Sequence, residues 1–247
     1  MRLKDKVAIV TGGGSGFGEG IVRKFVAEGA KVVVADRDAQ AAERVAASVG
    51  GAARAVAADV TIDADVARMV KSAAQFGALD ILVNNAGIGH VPQPLETLDE
   101  KTFDQILAVN MKSIYLTARY VVPLFKQRKK GVILNIASTA GVSPRPNLTW
   151  YNSSKGWVIT ATRSMAVELA PSGIRVNALN PVAGETPLLK TFMGGDTPEV
   201  RAKFLSTIPL GRFSTPEDIA NASVFLCSDE ASMITGVAVE VDGGRCI

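Results

Sequence analysis

Short apolar runs alternate with segments of helical periodicity along most of the chain. Strand-like runs at 7–10, 31–35, 53–57 and 79–83 are separated by amphipathic helical patterns near 17–28, 39–49 and 62–76. Nearly continuous apolar strands joined by helices are typical of a parallel sheet buried on both faces. Three further runs at 132–136, 174–179 and 237–241 bring the number of predicted strands to seven. The pattern predicts an α/β doubly wound, Rossmann-type fold with a seven-stranded parallel sheet flanked by helices.

The second half of the chain adds two longer helical patterns and one irregular stretch. The helices are predicted at about 99–127 and 150–170, and Pro171 and Gly173 end the second. From Pro181 to about 209, Pro, Gly and Thr interrupt the rhythm, which predicts a partly ordered substrate lid at about 182–209. No linker or repeat divides the chain, so we expect one domain spanning 1–247.

Composition narrows the class of protein. A net charge of +3, from 27 basic and 24 acidic side chains, is too small to indicate a nucleic-acid partner. No apolar signal core precedes the first strand and no apolar run approaches the length of a bilayer span, so we expect a cytoplasmic enzyme without a membrane partner. Cys227, Cys246 and the single histidine, His90, lack the number and spacing of a disulfide scaffold or metal site. We therefore expect reduced thiols and no catalytic metal.

A glycine-rich turn follows the first predicted strand. At this strand-to-helix junction, Gly12, Gly16 and Gly18 would let the backbone approach a pyrophosphate at the positive end of the helix. Asp36 ends the second strand eighteen residues after Gly18, where its carboxylate would accept hydrogen bonds from the adenosine ribose hydroxyls. The sequence thus predicts a nicotinamide dinucleotide cofactor.

Asp36 also favours NAD over NADP. A 2′-phosphate would bring like charge against this carboxylate, and Ser15 in the turn supplies no cation to offset the repulsion. Arg37 leaves NADP open, because its guanidinium could reach a 2′-phosphate if Asp36 turned away.

Tyr151 and Lys155 stand one helical turn apart and therefore project from one face of their helix. An adjacent ammonium favours phenolate, so we expect Lys155 to lower the pKa of Tyr151 and make it a usable acid or base.

Taken together, these motifs resemble the short-chain dehydrogenase/reductase family, in its one-domain subgroup, over essentially the whole chain. The resemblance is carried by Thr-Gly-x-x-x-Gly-x-Gly at 11–18, Asp59-Val60, Asn84-Asn85-Ala86-Gly87, Asn110, Ser138 and Tyr151-x-x-x-Lys155. It implies hydride transfer between a nicotinamide cofactor and a secondary alcohol or ketone.

The resemblance also implies a role for each matching residue. Tyr151 would exchange the substrate proton, Ser138 would hydrogen-bond the carbonyl oxygen, and Lys155 would also hold the nicotinamide ribose. Asn110 would complete a proton relay. Asp59 and Val60 would hold the adenine, and Thr186 the nicotinamide carboxamide. The implied cofactor-binding set is Gly12, Ser15, Gly16, Phe17, Gly18, Asp36, Arg37, Asp59, Val60, Asn85, Ala86, Gly87, Tyr151, Lys155, Pro181, Val182 and Thr186.

The chain departs from the family after the sixth strand, where Val182 follows Pro181 in place of the usual glycine. Val182 is nevertheless expected to approach the nicotinamide face. Family position predicts a mainly apolar substrate wall made of Thr139, Ala140, Pro144, Asn147, Leu148, Trp150, Val182, Leu188, Leu189, Phe192 and Met193. Such a wall favours a hydrophobic or modestly polar substrate. Arg145 and His90 could recognise an anionic tail, although loop residues of these types more often face solvent.

Two other functions stay open. The chain resembles 3-oxoacyl reductases that act on acyl-carrier-protein or CoA thioesters with NADPH or NADH, and the basic cluster Lys126, Arg128, Lys129 and Lys130 could meet an acidic carrier protein. Asp36 and Ser172, which stands where such reductases commonly carry an Arg, disfavour this alternative. A catalytically silent nucleotide-sensing scaffold is the other alternative. By family analogy we expect a homotetramer.

Overall fold

The computed structural model describes residues 1–247, and its centre is one parallel sheet. The strands are β1 (Val7–Thr11), β2 (Lys31–Asp36), β3 (Ala53–Ala57), β4 (Ile81–Asn84), β5 (Gly131–Ile136), β6 (Ile174–Pro181) and β7 (Ala238–Val241). Their order in the sheet is β3-β2-β1-β4-β5-β6-β7, and every neighbouring pair is parallel. The predicted seven-stranded doubly wound sheet is confirmed.

The chain forms nine α-helices. They are α1 (Gly16–Ala27), α2 (Ala39–Ser48), α3 (Asp63–Ala73), α4 (Glu100–Leu107), α5 (Ser113–Arg128), α6 (Thr149–Leu169), α7 (Pro187–Met193), α8 (Pro198–Leu205) and α9 (Pro216–Cys227). Side-chain caps fix several helix starts; Asp38, for example, accepts a hydrogen bond from the Ala41 amide at the start of α2. No helix combines the length and apolar character needed to span a bilayer.

Successive residues of a strand pack into two separate apolar cores. Val10 points to the core that contains Phe25 of α1, whereas its neighbour Ile9 points to the core that contains Phe125 of α5. Both phenylalanines are fully buried, and burying a side chain of this kind contributes about 1.5–3 kcal/mol. Burial on both faces explains why the strands are nearly continuous apolar runs.

The order of the strands reverses between β1 and β4. From β1 the chain runs outward through β2 to β3, and then crosses to β4 and runs outward in the other direction to β7. At such a switch point a crevice opens at the carboxyl ends of the strands. The glycine-rich turn after β1 and the segment after β4 therefore meet at this edge.

The single helix predicted at 99–127 is wrong in one respect. A π-helical turn, Ala108–Lys112, separates α4 from α5. Asn110 lies inside this turn, and its side chain bonds both the amide and the carbonyl of Ile88. A π turn displaces one residue from the regular ladder, and apolar periodicity carries no signal for it.

The stretch predicted as a partly ordered lid contains α7 and α8. Its apolar side chains form a small core of their own, made of Val182, Leu189, Met193, Ile208 and Phe213. This core explains why helices form in a region rich in Pro and Gly. Its action as a lid stays a prediction.

Buried polar side chains connect the central strands to α5 and α6. The hydroxyl of Thr117 donates to Asn84 Oδ1, Asn84 Nδ2 donates to Asn135 Oδ1, and each distance is 2.9 Å. Asn135 Nδ2 then donates to Thr162 Oγ1 of α6, also at 2.9 Å. The network fixes α6 against the sheet.

Replacement of Thr162 by Val should destabilise the fold by about 1–3 kcal/mol, because the shape is kept while a buried amide loses its acceptor. Denaturant unfolding monitored by circular dichroism measures the change. Thr160→Val on the same helix is the matched control, because Thr160 is exposed. Equal midpoints for the two variants would contradict the role of the network.

Candidate active site

A cavity of about 450 Å³ opens at the carboxyl ends of the central strands. All of the predicted cofactor-binding residues except Gly18 line it: Gly12, Ser15, Gly16, Phe17, Asp36, Arg37, Asp59, Val60, Asn85, Ala86, Gly87, Tyr151, Lys155, Pro181, Val182 and Thr186. The cavity continues past Ser138 to residues of α7 and α8. One opening thus joins the glycine-rich turn to the tyrosine–lysine pair.

The glycine-rich turn needs its left-handed backbone at two positions. Gly12 has φ 62° and Gly16 has φ 53°, values that favour glycine. Asn85 holds the turn from the end of β4, because its Nδ2 donates to the carbonyls of Thr11 and Gly12 at 2.9 and 3.0 Å. Asn85 therefore supports the turn as well as lining the cavity.

Gly18 does not line the cavity, and its contact with the cofactor stays a prediction. A Cβ on Gly18 would lie 2.0 Å from the carbonyl oxygen of Gly12. The glycine is needed because α1 packs directly against the turn. Its residue type is explained by close backbone packing rather than by a ligand contact.

The carboxylate of Asp36 is held at the rim of the cavity. Its Oδ2 accepts a hydrogen bond from the amide of Gly14 at 2.9 Å, and its Oδ1 accepts one from the amide of Asp38 at 3.0 Å. Each carboxylate oxygen has a further lone pair for another donor. Arg37 beside it is exposed, lines the same cavity and forms no ion pair.

Asp59 and Val60, which follow the neighbouring strand β3, line the same part of the cavity. Asp59 Oδ1 accepts hydrogen bonds from the amide and the hydroxyl of Thr61 at 2.8 and 2.7 Å, which fixes the loop after β3. Val60 is buried. Together these two residues offer an apolar surface and a fixed carboxylate, which suit an adenine ring and its amino group.

Tyr151 and Lys155 are both buried on α6. The Nζ of Lys155 lies 6.0 Å from the centre of the Tyr151 ring and donates to the carbonyl oxygen of Ile136 at 2.9 Å. Ser138 follows β5, and its Oγ accepts a hydrogen bond from the amide of Ala140 at 3.1 Å. The spacing predicted from sequence brings the phenol, the hydroxyl and the amine to one cavity.

The expected effect of Lys155 on the phenol is not found. Burial raises the pKa of Tyr151 to about 12, and a hydrogen bond with Ser138 opposes the shift. Burial also lowers the pKa of Lys155 to about 8. Desolvation disfavours both charged forms, and the amine bonds a carbonyl rather than the phenol. Spacing on a helix does not reveal this cost of burial.

Asn110 lies behind the cavity and does not line it. Its Nδ2 donates to the hydroxyl of Ser154 and to the carbonyl of Ile88, both at 3.0 Å, and its Oδ1 accepts from the amide of Ile88 at 2.9 Å. These bonds connect the π turn with α6 and with the segment after β4. A proton relay through Asn110 stays a prediction.

The substrate wall differs in part from the expected one. Seven of its predicted residues line the cavity: Thr139, Ala140, Leu148, Val182, Leu188, Leu189 and Phe192. Pro144, Asn147, Trp150 and Met193 do not line it. Pro144 and Asn147 are exposed. Trp150 packs edge-on against Phe103, and Met193 belongs to the small core of the 182–209 segment.

Three further features of the substrate wall depend on contacts between distant segments. Phe192 packs on Tyr151 with ring centres 4.7 Å apart. Phe204 of α8 and Arg145 also line the cavity. His90 is buried outside the cavity lining, and its Nε2 has no hydrogen-bond partner. Of Arg145 and His90, the two residues considered from the sequence for recognition of an anionic tail, only Arg145 lines the cavity.

No cluster of three His, Cys, Asp or Glu side chains is arranged to hold a metal ion. Cys227 and Cys246 are unpaired, and Cys227 is buried.

Comparison with known proteins adds independent findings. The family model described as Enoyl-(Acyl carrier protein) reductase matches residues 12–245. The 4-formylbenzenesulfonate dehydrogenase of Comamonas testosteroni is 50% identical over 252 residues, which cover 100% of each chain. The 2-(S)-hydroxypropyl-CoM dehydrogenase 3 of Xanthobacter autotrophicus is 43% identical, over 98% of this chain and 97% of that protein.

A solved structure is similar over the same extent. It is the crystal structure of a 3-ketoacyl-(acyl-carrier-protein) reductase from Brucella melitensis complexed with NADH. Its sequence is 55% identical, its TM-score is 0.95, and the match covers 99% of this chain and 100% of that chain.

Proposed function

The chain belongs to the short-chain dehydrogenase/reductase family, and from this premise we propose that it oxidises secondary alcohols reversibly to ketones with NAD as the hydride acceptor. The chain is an oxidoreductase of CH–OH groups, like relatives named for the oxidation of alcohols. The observation that carries the proposal is the single cavity shared by the glycine-rich turn, Asp36, Ser138 and the Tyr151–Lys155 pair.

The residues of the cavity fit a nicotinamide dinucleotide. Gly12 and Gly16 have left-handed backbone and carry no Cβ atoms, so a ligand can approach the backbone at the start of α1. The positive end of a helix favours a pyrophosphate at this place. Asp36 is fixed to accept ribose hydroxyls, and Val182 and Thr186 line the far part of the cavity. When bound there, the cofactor supplies the hydride chemistry.

The proton chemistry is assigned to the chain's own residues. Tyr151 accepts the hydroxyl proton during oxidation and donates it during reduction, while Ser138 hydrogen-bonds the same substrate oxygen. Lys155 is assigned to hold the nicotinamide ribose. Asn110 is assigned to the proton relay toward solvent. The buried surroundings strengthen each of these interactions.

We assign NAD rather than NADP because of Asp36. Its carboxylate would repel a 2′-phosphate, and the solved relative from Brucella melitensis contains NADH. Arg37 is exposed at the same rim, so a low NADP activity is compatible with the proposal.

The experiment measures initial rates on a panel of secondary alcohols, polyols and ketones with all four nicotinamide cofactors. We expect reduction of NAD by at least one alcohol, at a kcat/KM well above that with NADP. No turnover across the panel would instead favour the silent nucleotide-sensing scaffold.

A 3-oxoacyl thioester is the second candidate substrate, favoured by the solved relative named for that activity. The basic cluster that motivated this alternative lies at the end of α5, next to the amino end of β5. The cavity opens at the other end of this strand, beside Ile136, and Arg128 is already paired with Asp80. The cluster is therefore badly placed to receive a carrier protein for this cavity. Absence of thioester reduction with NADPH and NADH would remove the alternative.

We propose one domain spanning 1–247, with 182–209 as its substrate lid, and a homotetramer built through α5, α6 and β7. Tyr115, Trp157 and Val167 are exposed on these helices, and β7 is an edge strand with Val239 exposed. Sedimentation at assay concentration tests the assembly, and a monomer would contradict it.

The rate of oxidation should rise with pH. Burial raises the pKa of Tyr151 to about 12, so the phenolate that accepts the proton is a minor form at neutral pH and increases as pH rises. We expect kcat/KM for alcohol oxidation to increase between about pH 6 and about pH 8, below the pKa of about 8 at which Lys155 loses its charge, by up to about tenfold per unit, and ketone reduction to show no such rise. A decrease in oxidation over this range would contradict the assignment of Tyr151 as the base.

A further inference from the structure

The substrate part of the cavity contains one charged side chain that the proposed chemistry does not use. Five charged residues line the cavity in total. Asp36, Arg37 and Asp59 lie at the end assigned to adenosine, and Lys155 belongs to the reacting centre. Arg145 remains, beside Leu148 and Phe204 and with no carboxylate in the same part of the wall.

The guanidinium of Arg145 is oriented but incompletely hydrogen-bonded. Its Nη2 donates to Thr207 Oγ1 at 3.0 Å, and its central carbon lies 4.4 Å from the centre of the Phe204 ring. Nε and Nη1 have no acceptor within the protein, and no carboxylate pairs with the group. A planar, oriented guanidinium with free donors is suited to an oxoanion, which can accept two parallel hydrogen bonds.

The loop that carries Arg145 is tied to the catalytic helix. The carbonyl oxygen of Arg145 accepts a hydrogen bond from Asn152 Nδ2 at 2.8 Å, and Asn152 directly follows Tyr151 in α6. The distance between the guanidinium and the phenol is therefore constrained by the fold. A substrate held at both points would present its carbonyl carbon in a defined place.

A second unpaired guanidinium makes this region positive. Arg245 donates to Ser143 Oγ at 2.8 Å, and its Nε is buried without an acceptor. Burial, and after it the charge of Arg245, lowers the pKa of Arg145. The nearby carboxylate of Asp242 already accepts hydrogen bonds from two backbone amides of the C-terminal turn. Neither guanidinium forms an ion pair with a carboxylate of the protein.

We propose that Arg145 is a specificity-determining residue that binds an oxoanion, a carboxylate or a sulfonate, carried by the substrate away from its reacting carbon. This inference rests on the proposed function and narrows its substrate class to anionic secondary alcohols and ketones. An uncharged substrate would leave the guanidinium half-buried and unpaired, and a cationic substrate would be repelled.

A purely structural role for Arg145 predicts a different result. The contacts with Phe204 and Thr207 join the loop to α8 and its following turn, so the arginine would act only as a latch on the 182–209 segment. Loss of a latch would weaken turnover of every substrate alike, whereas loss of an anion site weakens only the anionic ones.

The test compares three ketones of the same shape: 4-acetylbenzoate, 4-acetylbenzenesulfonate and the neutral 4-acetylbenzamide. With NADH, wild-type enzyme should prefer at least one anion. In Arg145→Met, kcat/KM for the preferred anion should fall about 10- to 100-fold, the range for a lost charge-assisted hydrogen bond, and that for the amide should stay within about threefold. Arg145→Lys should fall less than Arg145→Met, because it keeps the charge.

Two controls separate the anion site from the latch. Thr207→Val removes the hydrogen bond but keeps the charge, so the anion preference should persist. Arg54→Gln removes an exposed arginine of the edge strand β3, and should change nothing. An equal loss on all three ketones in Arg145→Met, or a wild-type preference for the amide, would overturn the proposal.

A binding measurement keeps the test independent of turnover. Calorimetric titration of the enzyme–NADH complex with benzoate, benzenesulfonate and benzamide should show about tenfold tighter binding of at least one anion, and Arg145→Met should lose this difference. The better anion identifies the oxoanion. If none of the three ketones is turned over, the redox activity is decided by the wider alcohol and ketone panel, and this titration still decides the anion site; equal binding of all three ligands overturns the site.

Discussion

Replacement of Tyr151 by Phe should lower kcat for alcohol oxidation by about 10²- to 10⁴-fold, the range for loss of a general acid or base. The variant removes only the hydroxyl that exchanges the proton. The ring should keep its packing against Phe192, at 4.7 Å between centres, so the cavity keeps its shape. Steady-state kinetics with saturating NAD and alcohol measure the loss.

Cofactor binding by the same variant separates chemistry from folding. NADH affinity, measured by fluorescence titration, should change by no more than about tenfold, because the substitution by Phe removes at most one neutral hydroxyl contact. Tyr115→Phe is the matched control, since Tyr115 is exposed on α5 and should keep full turnover. Undiminished kcat in Tyr151→Phe would refute the proton role, and lost NADH binding would indicate a collapsed cavity.

Replacement of Asp36 by Ser should shift the preference between NAD and NADP by about 10²- to 10⁴-fold. NAD loses charge-assisted hydrogen bonds to its ribose, each contributing about 1.5–3 kcal/mol, and NADP escapes like-charge repulsion of about 1–4 kcal/mol at short range. Serine can still accept the hydrogen bond from the Gly14 amide that Asp36 accepts at 2.9 Å. The ratio of kcat/KM values for the two cofactors measures the shift.

Two further variants test whether the preference between NAD and NADP is set by the carboxylate of Asp36. Asp38→Ser keeps a capping side chain at the start of α2 and removes a charge two residues away, so the ratio should stay within about threefold. Arg37→Ser added to Asp36→Ser should reduce the gained NADP activity, because the exposed guanidinium of Arg37 is then the nearest partner for a 2′-phosphate. An unchanged ratio in Asp36→Ser would mean that selection lies elsewhere.

The sheet could be predicted from the sequence because a buried strand is recognised by the apolar character of its own residues. Neighbours such as Ile9 and Val10 point to opposite cores, so a strand buried on both faces is apolar at every position. Helices α7 and α8 were not predicted, because they are stabilised by a local core that includes Ile208 and Phe213. The π turn at Asn110 was missed because apolar periodicity carries no signal for it, and the Asn110 side chain bonds Ile88, a residue distant in sequence.

Sequence motifs predicted which residues meet at the site. They could not predict the pKa values of those residues, which depend on burial. Spacing alone indicated that Tyr151 and Lys155 share a helix face. It could not show that burial raises one pKa and lowers the other, because desolvation depends on the whole fold. The motif likewise included Gly18 without showing that the reason is contact with Gly12.

The position of Arg145 in the cavity wall also depends on the fold. The arginine lies in a loop with no motif, and its contacts are with Phe204 and Thr207, about sixty residues further along the chain. The residue type alone indicated only that an anionic tail was one of several options.

Direct transfer of hydrogen from substrate to cofactor tests the central claim. The enzyme is given NAD and a secondary alcohol deuterated at its carbinol carbon, and the nicotinamide product is analysed by mass spectrometry. The account predicts one deuterium per NADH formed by wild-type enzyme, and about 10²- to 10⁴-fold less labelled NADH in the same time with Tyr151→Phe, although that variant still binds NADH. Unlabelled NADH from wild-type enzyme, or full label transfer by Tyr151→Phe at the wild-type rate, would contradict it.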